Sequence, residues 1–174
     1  MQTPEERGDI TEAAKGVLEA LLTKMGIVGS VVPHTSPFVE GEEVAAVPVA
    51  FDIRGDDLGI LIGRRGQTLA SLQHIVRVII SHQMQSWLPI IIDVEGYKQR
   101  RYKALQALAL RMAEQVKANR IPFTLEPMPA YERRIIHLTL GEHPDVTTQS
   151  IGEGESRKVV ILPKSNITSA TELI

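Results

Sequence analysis

The run Leu61-Ile62-Gly63-Arg64-Arg65-Gly66-Gln67-Thr68-Leu69 decides how this chain is read. Neither glycine carries a Cβ, so the backbone of a Gly-x-x-Gly loop can come close to a ligand. Behind the loop, Leu69, Leu72, Val76, Ile79 and Ile80 recur at helical spacing and predict a helix over 67–83. The loop amides and the N-terminus of that helix would present partial positive charge suited to a phosphate. Arg64 and Arg65 fill the variable positions and add charge-assisted donors. Taken alone, the four residues also suffice for a plain interhelical turn, so their surroundings decide their weight.

On the N-terminal side, Ala14, Val17, Leu18, Leu21, Leu22 and Met25 share one face of a predicted helix, capped by Asp9 or Thr11 and ended by Gly26. A Val-rich strand is expected over 27–33 and a solvated loop over 34–43, with Pro37, Gly41, Glu40, Glu42 and Glu43. A second strand is expected over 44–53, with Pro48 marking an edge or a bulge. Residues 55–57 turn the chain into the apolar run 58–62. On the C-terminal side, Ile90-Ile91-Ile92 predicts a strand that Gly96 ends, and a second long helix follows over 97–119 with Leu105, Leu108, Met112 and Val116 inward. A short strand over 122–126 precedes Pro127, Pro129 and a helix over 130–140 closed by Gly141. Strands over 146–151 and 157–162 flank a Gly-bearing loop over 152–156, and residues 165–174 read as a frayed tail. Strands and helices do not alternate strictly. Two small α+β units meeting near Gly96 therefore fit better than one doubly wound sheet.

Composition narrows the function classes. The 174 residues are 43% apolar and 23% charged, an ordinary globular balance. The absence of cysteine excludes a disulfide scaffold, a thiol nucleophile and a Cys-ligated zinc. The polar, acidic start is no signal peptide, and no apolar stretch approaches the ~20 residues of a spanning helix, so a cytoplasmic protein is expected. The net charge of -2 hides segregation. Residues 1–62 carry 4 basic and 11 acidic side chains, residues 63–135 carry 12 and 5, and residues 136–174 carry 3 and 5. The basic middle could form a phosphate-facing surface or simply solvated helix faces.

Arg133 and His137 lie four residues apart, on one helical face, with Arg134 beside them. Arg offers a planar fork of donors to a phosphate, and His donates, accepts or stacks and titrates near neutrality. Spacing alone favours the plainer reading, a surface Arg beside a partly buried, neutral, helix-packing His.

The context of both motifs points to known families. Two strands and a helix ahead of the Gly-x-x-Gly resemble the KH domain of the bacterial, type II order, whose loop clamps about four nucleotides by their backbone. The runs Glu132-Arg133-Arg134-Ile135-Ile136-His137, Thr147-Thr148-Gln149-Ser150-Ile151-Gly152 and Arg157-Lys158-Val159-Val160-Ile161 resemble the R-three-H domain of single-stranded nucleic-acid-binding proteins. Together they resemble the Jag family of bacterial RNA-binding proteins, also called SpoIIIJ-associated proteins, over about residues 10–164. The linking run Asp93-Val94-Glu95-Gly96-Tyr97 and the basic positions Lys98, Arg100, Arg101 and Lys103 belong to the same resemblance.

The resemblance implies an α+β fold in two small domains. A type II KH domain over 1–95 has the order α-β-β-α-α-β. An R-three-H domain over 96–164 has the order α-β-α-β-β, a three-stranded sheet with helices on one side. It also implies single-stranded RNA as the partner, with single-stranded DNA as a second substrate class, and a protein-adaptor alternative in which the KH unit pairs with itself or a small KH protein. The expected RNA-binding residues are Gly63, Arg64, Arg65, Gly66 and Gln67 in the loop, and Arg133, Arg134 and His137 on the later helix. Many family members carry an extra N-terminal domain and a charged linker. This sequence opens at the KH helix, so functions tied to that extra domain, such as an association with membrane-insertion machinery, are not carried over by the resemblance.

No enzyme is expected. His34, His74, His82, His137 and His143 form no metal-binding spacing, and Ser71, Ser81 and Ser86 lack nucleophile-elbow glycines. Asp52, Asp56 and Asp57 read as turn residues capping the following helix rather than as Mg²⁺ ligands. No acid, base and electrophile constellation is visible, and no cofactor is implied. With aromatics at 4%, phosphate contacts and hydrogen bonds should outweigh base stacking.

Overall fold

Ala14, Leu18 and Leu22 recur every fourth residue and are buried, which fixes the inward face of the first helix, α1 (Pro4–Lys24). The computed structural model describes residues 4–34, 49–85 and 89–164. Most of the loop expected over 34–43, the first part of the strand expected over 44–53 with Pro48, and the tail over 165–174 lie outside the described residues. The helix α1 starts earlier than the capping residues suggested, so Asp9 and Thr11 lie inside it. Pro4 suits a first helical turn, where a missing N–H breaks no bond.

The strands β1 (Ser30–Pro33), β2 (Val49–Arg54) and β3 (Ile90–Val94) form one sheet in that order. β1 runs antiparallel to β2, and β2 parallel to β3, with Val49 opposite Ile90. A parallel pair needs a crossover. Here α2 (Gly59–Ile62) and α3 (Gln67–Met84) lie between the two strands in sequence. Phe51, Ile53, Ile90 and Ile92 pack with Leu18, Leu61, Leu69, Val76 and Ile80 in one core. β1 is shorter than the expected 27–33. Residues 28 and 29 approach the Gly55 turn so closely that a Cβ on Gly55 would lie 3.0 Å from the Val28 carbonyl oxygen.

The three aspartates do not cap a helix as expected. Asp52 is buried within β2, and its Oδ2 accepts the Arg54 Nε–H at 2.8 Å. Asp56 and Asp57 are exposed, and no side chain caps α2, whose N-cap is Leu58. The helix is a single turn entered from Leu58, so a carboxylate cap has little to act on.

After β3 the chain reverses through Glu95 and Gly96, both at positive φ. Asp93 Oδ1 accepts the amides of Val94 at 2.8 Å and Lys98 at 3.2 Å, which caps the first turn of α4 (Tyr97–Asn119).

A second sheet contains β4 (Phe123–Thr124), β5 (Val146–Ile151) and β6 (Lys158–Pro163) in the order β4-β6-β5, with antiparallel pairs. β4 falls short of the expected 122–126, because Pro122 has no N–H to give and Leu125 turns into the core. Leu105, Ala109, Met112 and Val116 of α4 and Ile135, Ile136 and Leu140 of α5 (Ala130–Leu140) cover Val146, Val159 and Ile161 on one sheet face. Thr148 and Ser150 alternate with Val146 onto that helix-facing side, while Thr147, Gln149 and Ile151 are exposed. Glu132, fully buried at the start of α5, receives a bidentate bond from Arg101 of α4, at 2.7 Å from Nε and 2.9 Å from Nη2.

The element order is α-β-β-α-α-β followed by α-β-α-β-β, the α+β architecture expected from the sequence. By its internal contacts the chain divides into two units, Met1–Gln99 and Arg100–Ile174.

Candidate nucleic-acid interface

The Gly-x-x-Gly loop is built from backbone. Gly63 has φ 67° and ψ -171°, a region open essentially only to glycine. A Cβ there would run into the Thr68 side chain and come within 3.0 Å of the Thr68 amide nitrogen. The Gly63 amide donates to the Gly59 carbonyl at 2.9 Å, ending α2. Arg65 is left-handed at φ 54°, ψ 33°, and Gly66 follows at φ 78°, ψ 10°. Gln67 then returns to right-handed geometry at φ -62°, ψ -43°. The Gly66 amide turns back to the Gly63 carbonyl at 3.5 Å and the Gln67 amide to the Arg64 carbonyl, so the amides that follow Gln67 in the first turn of α3 are the ones left to receive an anion. No side-chain cap occupies the N-terminus of the 18-residue α3.

Arg64 and Gln67 are exposed, Arg65 is half-buried and Gly66 is buried. Variable positions of an exposed loop are expected to face solvent; the left-handed backbone at Arg65 instead turns its side chain partly inward. Beneath the loop, Leu61 and Leu69 are buried and Ile62 is half-buried, whereas Ile60 is 70% exposed.

The second candidate site is built from side chains. His137 Nδ1 lies 2.6 Å from Thr148 Oγ1, and Nε2 lies 2.7 Å from Ser150 Oγ. One imidazole on α5 thus spans two hydroxyls of β5. Burial, with help from the guanidinium groups of Arg133 and Arg157, pushes the His137 pKa below the ordinary imidazole value. The ring is therefore neutral at pH 7. A neutral, packed ring is one of the two readings its spacing allowed, but nothing in the sequence signals the two hydroxyls and the second arginine around it. Arg133 is half-buried, and its Nε is buried without a hydrogen-bond partner. Arg134 is exposed, and one residue along a helix it projects about 100° away from Arg133.

Thr148, Ser150 and Arg157 were not singled out from the sequence. A period-two Thr-x-Ser in a strand does announce two hydroxyls on one face, but not which side chain they meet.

The basic middle of the chain is partly consumed internally. Arg101 binds Glu132, Lys98 Nζ donates to Gln73 Oε1 at 2.8 Å, and Lys117 Nζ lies 3.0 Å from Asp145 Oδ2. Burial, partly offset by Asp93, pulls the Lys98 ammonium below the ordinary lysine value. These cations position helices, which weakens the whole-segment charge as an argument. Among the described residues no group of three His, Asp or Glu side chains could hold a metal ion, and no helix is long and apolar enough to cross a membrane.

Known proteins share both halves. The KhpA/KhpB KH domain family matches residues 17–92, and the R-three-H domain family matches residues 103–163. The chain is 44% identical over 110 residues to RNA-binding protein KhpB of Clostridium symbiosum, covering 63% of this chain and 50% of that protein. It is 37% identical over 118 residues to RNA-binding protein KhpB of Bacillus subtilis (strain 168), covering 67% and 57%. A third similar protein, RNA-binding protein KhpB of Lactiplantibacillus plantarum, is 38% identical over 103 residues, covering 59% and 32%. The matched region thus spans between about a third and somewhat over half of these relatives' lengths.

Proposed function

Since this chain joins a KhpA/KhpB-type KH domain to an R-three-H domain and so belongs to the Jag family, we propose that it binds single-stranded RNA without catalysing a reaction, in post-transcriptional regulation. The observation that carries the reading is the side-chain-free entry to α3: a glycine-only turn at Gly63, a left-handed Gly66 and an uncapped helix N-terminus, with Arg64 exposed beside them. Backbone amides there suit phosphates, which every RNA sequence offers. Arg133, Arg134 and His137 provide a second contact region. Relatives named as RNA-binding proteins support the choice of RNA.

The test is the double substitution Arg64→Asp and Arg65→Asp. Fluorescence anisotropy with a single-stranded RNA of about 20 nucleotides should show about a tenfold or greater loss of affinity, because two carboxylates then stand where phosphates pass. For the exposed Arg64 the substitution should cost about 0.5 kcal/mol or less, and the half-buried Arg65 makes a melting curve part of the same measurement. Wild-type binding should weaken steeply with rising salt. Unchanged affinity with intact melting removes the loop from the mechanism.

A second reading rests on α3, where Ile75 and Val78 are 48% and 53% exposed. Apolar side chains on a helix face suit pairing of the KH unit with another KH domain, of this chain or of a small KH protein. Such pairing would resist salt.

A further inference from the structure

We propose that Gln73 selects among the bases of a bound strand by presenting hydrogen-bond donors only, which favours cytosine and guanine, with their adjacent acceptor atoms, over uracil and adenine. This inference deepens the RNA reading and rests on it.

A sheet edge leads to it. In the order β1-β2-β3, β3 pairs with β2 on one side and among the described residues has no strand on the other. The N–H and C=O groups of such an edge need other partners. Here α3 supplies them. The Ile92 N–H donates to Gln73 Oε1 at 3.0 Å, and Arg77 Nη2 donates to the Ile90 carbonyl at 3.3 Å. Leu69, Gln73 and Arg77 follow one another at i+4 spacing, so they form one row along α3. That row starts at the floor of the Gly-x-x-Gly loop and runs to the edge of β3. Gln73 stands about 9 Å along the helix axis from Gln67, where α3 begins. The base of a nucleotide whose phosphate is held at that N-terminus reaches this far.

Counting lone pairs fixes what Gln73 offers. A carboxamide has two lone pairs on its oxygen and two N–H bonds on its nitrogen. Oε1 accepts from the Ile92 amide and, at 2.8 Å, from Lys98 Nζ. An amide N–H and an ammonium can only donate, so the atom between them is the oxygen and the carboxamide cannot turn over. Both lone pairs are thereby used. Nε2 bonds to none of the described residues, and it is not closed off from solvent, so its N–H bonds face outward. Arg77 and Lys98, the other polar side chains on this edge, are also donors only. A base that turns an N–H toward them sets donor against donor and leaves both unpaired. Guanine avoids this through O6 and N7, which are adjacent acceptors. Cytosine does so through N3 and O2. Uracil carries N3–H between its two carbonyls, and adenine carries its N6 amino group beside N1 and N7.

The experiment compares homopolymer single strands of about 20 nucleotides by fluorescence anisotropy with the full chain. Cytidine strands should bind about fivefold or more tightly than uridine or adenosine strands, the lower end of discrimination by base-edge hydrogen bonds. Gln73→Glu keeps an oxygen for Ile92 and Lys98 and replaces the outward N–H bonds by a second oxygen. It should bring the cytidine-to-uridine ratio within about twofold while the melting temperature holds. The ratio is the readout, because a new carboxylate repels every strand alike. A strand of 3-deazacytidine, which has C–H in place of N3, probes the wild-type chain without any substitution and should bind no better than uridine. Equal wild-type affinities for the three homopolymers overturn the role of Gln73 and spare the RNA reading. So does a cytidine preference that survives Gln73→Glu or 3-deazacytidine. A wild-type chain that binds none of the strands overturns the selection and the RNA reading together.

Discussion

The Gly-x-x-Gly loop and the His137 cluster, the two regions proposed to meet RNA, are built in opposite ways. At the loop the donors are main-chain amides, fixed by φ and ψ at Gly63, Arg65 and Gly66. At His137 they are side chains from two elements, α5 and β5, meeting at 2.6 and 2.7 Å. The first site depends on what is missing, a Cβ at Gly63. The second depends on what is present, and on its protonation. A backbone site should tolerate most side-chain changes and most pH values while failing at one glycine. A side-chain site should respond to pH and to the packing that orients its helix.

The largest expected effect breaks that packing. Arg101→Ala leaves the Glu132 carboxylate fully buried without its bidentate partner. Stripping one partner from a buried ion pair costs about 3–5 kcal/mol. Denaturant unfolding should show that loss. α5, which carries Arg133 and His137 directly after Glu132, should be the helix whose amide exchange rises first.

Next comes a pair of Gly→Ala substitutions with opposite signs. Gly63→Ala forces an L residue into a glycine-only region against Thr68, at a cost of about 1–3 kcal/mol. RNA affinity should fall with it. Gly16→Ala, in the interior of α1 where a Cβ meets nothing within 4 Å, should stabilise by about 0.5–1 kcal/mol and leave RNA affinity unchanged. Equal effects at the two positions would deny the loop its dependence on backbone geometry.

The smallest effect separates the sites by pH. The folded His137 takes up its proton at lower pH than the unfolded chain does. Just below the ordinary value of 6.5 the unfolded state therefore binds more protons, and stability falls as pH falls through that window. The melting temperature should drop slightly between about pH 7 and pH 5, and His137→Gln should flatten that part of the profile. Arg64→Asp with Arg65→Asp should leave the profile's slope there unaltered.

Periodic and punctuated parts of the sequence were legible to the residue. The helices α4 and α5 begin and end where Gly96, Pro129 and Gly141 say they should, and β5 matches its alternating pattern. The Gly-x-x-Gly lies between two helices as read. What was not legible depends on contacts between elements distant in sequence. The 27–33 run lost its first half to the Gly55 turn, and Asp52 went to Arg54 within β2 instead of a cap. Glu132 reads as a surface residue until Arg101 is found against it. His137 was found as a residue and a neutral ring was one of its readings, but its surroundings were not legible, because the hydroxyls and Arg157 lie more than ten residues away.

The parallel pairing of β2 with β3 also sets a timetable. Val49 cannot meet Ile90 until the intervening chain, roughly 40 residues long, has been made and its ends brought together, a closure whose entropy cost precedes any reward. During synthesis the first sheet therefore waits for α2 and α3. In the second unit Ile151 meets Lys158 across a short loop, so the β5–β6 hairpin zips as soon as it emerges. At about 5–20 residues per second, the N-terminal unit spends seconds with β1 and β2 lacking their third strand. The unit synthesised first is thus the one that needs protection from aggregation on the ribosome.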